Sequence, residues 1–119
     1  MTFAPEKFEP ALKPHFLLKR YQLRSDQPVI LTVARLASVE HYKGYDQVLR
    51  GLPAVKHAFP HVRYILGGRG SDRGRVIRLI RELGLTDAVI LAVDIPDHEL
   101  CAFYNLCDVC AMPSKALGF

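Results

Sequence analysis

VILTVA, residues 29 to 34, is a continuous apolar run that is rich in β-branched residues. A run of this length and composition is typical of a strand that is covered on both faces, as the central strands of parallel sheets are. Three similar runs follow along the chain: VRYIL (62–66), AVILAV (88–93) and VCAM (109–112). The sequence therefore contains four candidate strands.

The segments between these runs change to a helical period. Apolar residues recur at three- and four-residue steps over 45–59, where a kink is expected at Pro53, and over 76–83. Pro96 can open a further helix at its first turn. This alternation of strands and helices predicts right-handed βαβ crossovers and a parallel sheet, and hence an α/β fold.

Three details of the helices are predicted from the same pattern. A short helix is expected over 14–23 with Phe16 facing inward, and the last helix is expected to bury Tyr104. Ser71 or Asp72 is the predicted N-cap of the helix that follows the second strand.

The chain has 119 residues, which is room for one small domain with one core. Residues 1–13 contain prolines and show no periodicity, so we expect a linker or lead-in there and the domain over 14–119. No apolar run approaches the roughly 20 residues that cross a bilayer, and the opening MTFAPEKFEP has no apolar signal-peptide core. We therefore expect a cytoplasmic protein, peripheral to a membrane at most.

The formal net charge of +4 has two open explanations. One is a solvated basic face, which the arginines of one predicted helix would form: Arg73, Arg75, Arg78 and Arg81. The other is a pocket for an anionic ligand. The chain has neither a lysine-rich tail nor an aromatic stacking platform, so we do not expect nucleic acid as the partner.

The three cysteines are an odd number, which does not make a disulfide framework. Cys107 and Cys110 form a C-x-x-C pattern, and His98 with Cys101 stands upstream of it. A zinc site of this spacing needs ligands on loops, whereas Cys107 is expected at a helix end and Cys110 inside a strand. We therefore expect both thiols to face the core and no metal ion to be bound.

Cations follow three of the four predicted strands. Arg35 follows the first run, Arg69 follows the second after two glycines, and Lys115 follows the fourth; Asp94 after the third run is the exception. Ligands of open parallel α/β sheets bind outside the carboxyl ends of the strands. Charged loop residues that have no function would give the same pattern, but a pocket for an anion is the favoured interpretation.

Two further features favour an anion pocket. The glycine-rich turn 67–70 leads into a helix, and it allows the backbone to approach a ligand near free helical N–H groups. Lys43 and Gly44 stand where the first long helix begins, so Lys43 is expected near Arg35. Two cations at the entrance of one pocket suit a diphosphate.

These motifs, in this order, resemble a known family. VILTVARL…KGYDQVLRGLPAV, YILGGRG, IPDHELCAFYNLCDVCAMPSK and the final GF are similar to the C-terminal domain of retaining GT-B-fold glycosyltransferases, usually called family 4. KFEPALKP (7–14) also resembles the inter-domain linker of that family. The resemblance covers nearly the whole chain, and it implies a Rossmann-like three-layer sandwich with a parallel sheet of about four strands.

The resemblance also implies a site that binds the donor, a nucleotide sugar linked to UDP, GDP or ADP. The paired cations of the family on the donor diphosphate fall on Arg35 and Lys43. Fixed cations can stabilise the charge of a departing nucleoside diphosphate without a metal ion. No cofactor is therefore expected beyond the nucleotide sugar as substrate.

Other positions of the family pattern fall on two loops. Its glycine loop after the second strand falls on Gly68, Arg69 and Gly70, and its base-contacting loop falls on Asp94 and Ile95. The latter loop departs from the family, because Val93-Asp94 stands where a glycine and an aromatic residue are usual.

The donor loop of the family falls on the last residues, and it departs from the pattern most. Ser114 and Gly118 match P-S-x-x-E-G-F-G and Lys115 falls on its first variable position, but Leu117 stands where the first glutamate belongs. The sequence ends at Phe119, before the second glutamate of the family. The resemblance therefore implies a glycosyltransferase fragment or altered version that does not catalyse transfer on its own.

Two functions remain open from the sequence. One is the donor-nucleotide domain of a glycosyltransferase, and the other is a non-enzymatic flavodoxin-like interaction module that kept the scaffold. We also expect self-association through apolar surface or a strand edge that lacks its cover.

Overall fold

A computed structural model of the protein describes residues 13–34, 44–68, 70–92 and 95–111. Helices and strands alternate along them in this order: α1 (His15–Arg20), β1 (Val29–Val33), α2 (Gly44–Ala58), β2 (Arg63–Gly67), α3 (Arg73–Glu82), β3 (Val89–Ala92), α4 (Asp97–Leu106) and β4 (Val109–Cys110). The four strands and the helices between them lie where the sequence predicts them. None of these helices is long and apolar enough to cross a membrane.

The strands form one parallel sheet in the order β3-β2-β1-β4. β1 and β2 are central, with Leu31 in register with Ile65. Because all strands run the same way, their last residues lie along one side of the sheet, which we call the carboxyl edge: Val33, Gly67, Ala92 and Cys110.

Helices cover both faces of the sheet. Tyr64 and Leu66 of β2 pack with apolar residues of α2 and α3 in one core cluster, whereas Ile65, which alternates with them, packs with residues of α1 and α4 in another. Buried Leu49 belongs to the first cluster and buried Phe103 to the second. The predicted α/β three-layer sandwich is therefore confirmed.

Several side chains expected in the core lie at the surface, and Phe59 at the end of the apolar stripe of α2 is 56% exposed. Phe16 is 47% exposed and Tyr104 is 42% exposed. The guanidinium of Arg20 lies 5.4 Å from the centre of the Phe16 ring, so this aromatic residue is partly covered by a cation instead of the sheet. Cys110 is exposed because β4 is a two-residue strand that pairs only with β1 among the described residues.

Two expectations concern the borders of elements. Pro53 lies inside α2 and does not end it, because the helix continues to Ala58; the expected kink stays a prediction. Residues 1–12 of the expected linker lie outside the described residues, and the division at residue 13 also stays a prediction. Lys13 itself is buried, and its ammonium group donates hydrogen bonds to the Asp108 carboxylate (2.9 Å) and the Gln27 carbonyl (3.0 Å).

Candidate functional site

Gly68 directly follows β2 at the carboxyl edge and contacts the chain at the ends of both neighbouring strands, β1 and β3. Its N–H donates to the carbonyl of Ala92 (3.0 Å), and the N–H of Ala34 donates to the carbonyl of Gly67 (2.9 Å). The φ angle of Gly68 is 141°, and a Cβ atom there would overlap the carbonyl oxygen of Ala34. Only glycine fits this position, so the backbones that leave β1 and β2 touch each other.

Ile95 brings the loop after β3 to the same edge. A Cβ atom on Gly67 would overlap the terminal carbon of the Ile95 side chain, so that side chain lies directly over the end of β2. Ile95 is one of the two predicted base-loop residues. The contact places this residue at the carboxyl edge.

The N-terminus of α3 lies three residues after Gly70. Gly70 has a positive φ angle of 156°, which favours glycine. The N-terminus of α2 begins at Gly44. The first N–H groups of a helix have no partner within the helix and favour anions. Both helices therefore offer donors at the end of the domain where the strands finish.

Four side chains connect these two helix N-termini, and we call them the Arg75 cluster: Tyr45, Asp46, Asp72 and Arg75. Tyr45 and Asp46 lie in the first turn of α2, Asp72 directly precedes α3 and Arg75 lies in its first turn. The Tyr45 hydroxyl donates to Asp72 (2.7 Å), and Arg75 donates to both oxygens of Asp72 at 2.8 Å. Arg75 also donates to both oxygens of Asp46.

The cluster is largely hidden from solvent. Asp46 and Asp72 are buried, and the Arg75 side chain is 29% exposed. Hydrogen bonds to Asp72 and Asp46 raise the pKa of Arg75, and burial together with the bond to Asp72 raises the pKa of Tyr45. At neutral pH Arg75 is therefore a fixed cation and Tyr45 a fixed hydroxyl donor.

The sequence prediction was wrong for Arg75 and incomplete for Asp72. Arg75 was expected on a solvated face with Arg73 and Arg78, which are exposed, but it is paired with two carboxylates. Asp72 stands at the N-cap position, but its side chain makes no capping hydrogen bond and binds the cluster instead. Asp46 was not predicted at all, although a carboxylate at the start of an apolar helix face was a signal that could have been followed.

Most predicted site residues lie outside the described residues. They are Arg35, Lys43, Arg69, Asp94, Ser114, Lys115, Leu117 and Gly118. Of the candidates that are described, Gly68, Gly70 and Ile95 all lie at the carboxyl edge. Gly44, Tyr45 and Asp46, which follow Lys43 in the sequence, begin the helix that the Arg75 cluster holds against α3.

The cysteine pattern does not form the buried pair that the sequence suggested. Cys107 is half-buried, while Cys101 and Cys110 are exposed. Burial, with a smaller effect of Cys110, raises the pKa of Cys107 to about 11. The Cys107 thiol donates to the carbonyl of Tyr104 (3.3 Å). In the part of the chain that the structure describes, no three His, Cys, Asp or Glu side chains are grouped so that they could hold a metal ion.

Curated relatives resemble this chain in sequence. It is 32% identical over 100 residues to a GDP-mannose-dependent alpha-(1-6)-phosphatidylinositol monomannoside mannosyltransferase of Mycolicibacterium smegmatis, covering 84% of this chain and 25% of the relative. It is also 32% identical over 110 residues to a D-inositol 3-phosphate glycosyltransferase of Acidothermus cellulolyticus, covering 85% and 24%. The chain thus spans about a quarter of the length of these relatives.

Solved structures agree with the fold. Sucrose-phosphate synthase from Thermosynechococcus elongatus matches with a TM-score of 0.64 and 25% identity, over 78% of this chain and 23% of that one. The C-terminal domain of a glycosyl transferase group 1 family protein from Francisella tularensis matches with a TM-score of 0.62 and 14% identity, over 92% and 57%. The Rossmann-like fold of GT-B glycosyltransferases, expected from the sequence, is confirmed.

The family profile described as glycosyl transferases group 1 matches residues 16–119, which is most of the chain. The profile match, the curated relatives and the fold agree with the family that the sequence motifs resemble. The chain belongs to the glycosyl transferases group 1 family.

Proposed function

We propose that this domain binds the nucleoside diphosphate of a sugar-nucleotide donor at its carboxyl edge, as the donor half of a group 1 glycosyltransferase. The observation that carries the proposal is that the N-termini of α2 and α3 are held together, and that α3 follows the glycine exit of β2 along the chain. The Arg75 cluster joins α2 to α3, and Gly68 brings the backbone after β2 against Ala34. The first N–H groups of two neighbouring helices suit a phosphate.

Two cations adjoin described residues of this region in the sequence. Arg35 directly follows Ala34, and Lys43 directly precedes Gly44. Departure of a nucleoside diphosphate builds negative charge on its phosphates, and fixed cations with oriented N–H groups stabilise that charge. We propose that no metal ion is needed, so chelation by EDTA should leave nucleotide binding unchanged.

The base is proposed to lie near Ile95, whose side chain covers the end of β2. UDP, GDP and ADP are all candidates. One relative is named for its dependence on GDP-mannose, which makes GDP a natural first ligand to test. Asp94 precedes Ile95 in the sequence and is proposed as a second contact of the base loop.

Sugar transfer is proposed to need more than these 119 residues. The chain spans about a quarter of the length of its relatives, and Leu117 stands where the family motif has a glutamate. A carboxylate at that position could bind donor hydroxyls, whereas leucine cannot. We therefore propose binding without turnover, and any transfer of sugar from a donor by the isolated chain would contradict this.

Titration of the chain with UDP, GDP and ADP, followed by ligand-observed NMR, tests the proposal. Arg35→Ala and Lys43→Ala should each weaken binding by about tenfold or more. Arg50→Ala is the matched control, because Arg50 is an exposed cation in the middle of α2 and should change affinity by less than about twofold. Absence of binding at millimolar nucleotide would contradict the proposal and favour a non-enzymatic interaction module.

Self-association is a second part of the proposal. Val109 of β4 is 57% exposed, and within the described residues β4 has no strand on its outer side. Exposed strand edges with apolar side chains pair readily with a second copy. Sedimentation should show a mass that rises with concentration, and a monomer at every concentration would contradict this part alone.

A further inference from the structure

The Arg75 cluster consists of residues that closely follow, along the chain, the two loops proposed for the diphosphate site. Tyr45 and Asp46 follow Gly44 directly, and Asp72 stands two residues after Gly70. We infer that Arg75 is a positioning residue of the diphosphate site, which fixes the separation of the α2 and α3 N-termini by binding Asp46 and Asp72 at once. This inference rests on the proposed function.

The geometry of Arg75 is that of a bridge between two elements. Its Nε and Nη2 atoms donate to the two oxygens of Asp72, both at 2.8 Å. Its Nη1 and Nη2 atoms donate to the two oxygens of Asp46, the former at 3.1 Å. A planar guanidinium can bind two carboxylates in this paired manner, whereas the single ammonium group of lysine cannot.

The bridge acts where small displacements matter. Its members lie in or directly before the first turn of each helix, so a change in its geometry moves the first N–H groups at both N-termini. A ligand with two phosphates must meet both sets of donors, and misplacement by about 1 Å can cost up to about a hundredfold. The Tyr45 hydroxyl, which donates to Asp72 at 2.7 Å, holds the same carboxylate from the α2 side.

Charge gives the bridge a second effect. Asp46 and Asp72 are buried carboxylates close to a surface proposed to hold an anion. Arg75 neutralises part of their charge, and its pKa is raised by the two of them, so it stays protonated. Substitution by lysine keeps this positive charge but removes the paired hydrogen bonds of the guanidinium. The variant therefore separates the effect of positioning from the effect of charge.

Arg75→Lys is therefore the test variant, and Arg78→Lys is the control, because Arg78 is an exposed arginine one turn further along α3. The first measurement is amide hydrogen exchange by NMR without ligand. Arg75→Lys should speed exchange by about tenfold at Val76, whose N–H donates to the Asp72 carbonyl, and leave mid-strand Ile65 unchanged. Wild-type exchange at Val76 in Arg75→Lys would overturn the inference.

The second measurement compares affinities for pyrophosphate and for guanosine, which has a base but no phosphate. Arg75→Lys should weaken pyrophosphate binding by about tenfold and change guanosine binding by less than about twofold, while Arg78→Lys changes neither. Equal losses for pyrophosphate and guanosine would show a merely structural role and overturn the inference. Tyr45→Phe, which removes one hydrogen bond, serves the same test with an expected loss of about threefold if Arg75→Lys does not fold.

The outcomes separate this inference from the proposed function. If the wild-type chain binds neither pyrophosphate nor a nucleoside diphosphate, the proposed function fails and the positioning role fails with it. If the wild type binds pyrophosphate and Arg75→Lys binds it equally well, only the positioning role fails.

Discussion

Gly68 couples the two central strands at the position where the ligand is proposed to bind. Its backbone touches the carbonyl of Ala34, and its φ angle of 141° is one that side chains rarely permit. The glycine pattern alone predicted a close approach of backbone to ligand. The structure adds that the same residue is needed for the approach of backbone to backbone.

Gly68→Ala should therefore destabilise the fold strongly. The new methyl group would overlap the Ala34 carbonyl, and an alanine in this conformation is strained, so we expect a loss of about 2–4 kcal/mol in the free energy of unfolding. Urea denaturation measures this loss.

Gly51→Ala is the matched control for this substitution. Gly51 lies inside α2 with nothing within 4 Å of an added Cβ, so alanine should stabilise the protein by about 0.5–1 kcal/mol. A small effect of Gly68→Ala, similar in size to that of Gly51→Ala, would contradict the close contact at Ala34.

The different environments of Arg75 and Arg78 could not be predicted from the sequence. Both arginines are on α3, three residues apart, and the sequence gives no local reason to distinguish them. Arg75 is hidden because Asp46 reaches it from α2, and that contact depends on how two helices pack on one face of the sheet. Pairwise contacts between distant segments are not encoded in a local period.

Among the elements, Thr32 ties β1 to its neighbours on both sides. The Tyr64 hydroxyl of β2 donates to Thr32 Oγ1 (2.7 Å), and the Thr32 hydroxyl donates to the carbonyl of Ala111 (2.5 Å) just after β4. Both Thr32 and Tyr64 are fully buried, and burial raises the pKa of Tyr64. This chain of hydroxyl groups holds the end of the short strand β4 against the sheet.

Thr32→Val should cost about 1–3 kcal/mol in the free energy of unfolding, because it leaves the buried Tyr64 hydroxyl without its acceptor. Combining it with Tyr64→Phe removes both polar groups, so the double variant should cost less than the sum of the single variants. Chemical denaturation of the four proteins in the cycle gives the coupling. Costs that simply add would contradict a shared hydrogen bond.

The connection from α4 to β4 carries Cys107, whose pKa is raised to about 11 by burial. The thiol therefore stays protonated at pH 8, and iodoacetamide should alkylate Cys107 at least about tenfold more slowly than exposed Cys101. Peptide mass spectrometry on the native chain measures both rates. Equal rates at pH 8 would contradict this account of Cys107.

The raised pKa of Cys107 also makes the stability of the fold depend on pH. The folded chain holds the Cys107 proton more tightly than the unfolded chain does. The resulting contribution to the free energy of unfolding is complete below the ordinary pKa of 9.0 and is lost as the pH rises towards about 11.

The strands were predictable because β-branched apolar runs of strand length have few other uses in a soluble domain. The order of the strands was not. β4 is at an edge, beside β1, and its two residues are exposed, so Cys110 does not enter the core as expected. A run of four apolar residues gives no information about which neighbours it will have.

At the scale of the whole molecule, the parallel sheet gathers the ends of all four strands on one side. The α/β class and the common carboxyl edge of the strands followed from the alternation of elements alone, because all strands of a parallel sheet end on the same side. The family motifs suggested a nucleotide sugar as the ligand, which stays a proposal. The Arg75 cluster, which depends on tertiary contacts, needed the structure.

The central claim is that an anion binds at the carboxyl edge, and chemical-shift mapping with pyrophosphate tests it most directly. Amide shifts of the ¹⁵N-labelled chain should change at Gly44, Gly68 and Gly70, and remain unchanged at Arg63 and Asp108 on the opposite edge. Changes that cluster instead on the exposed arginines of α3, or no change at millimolar pyrophosphate, would contradict the account.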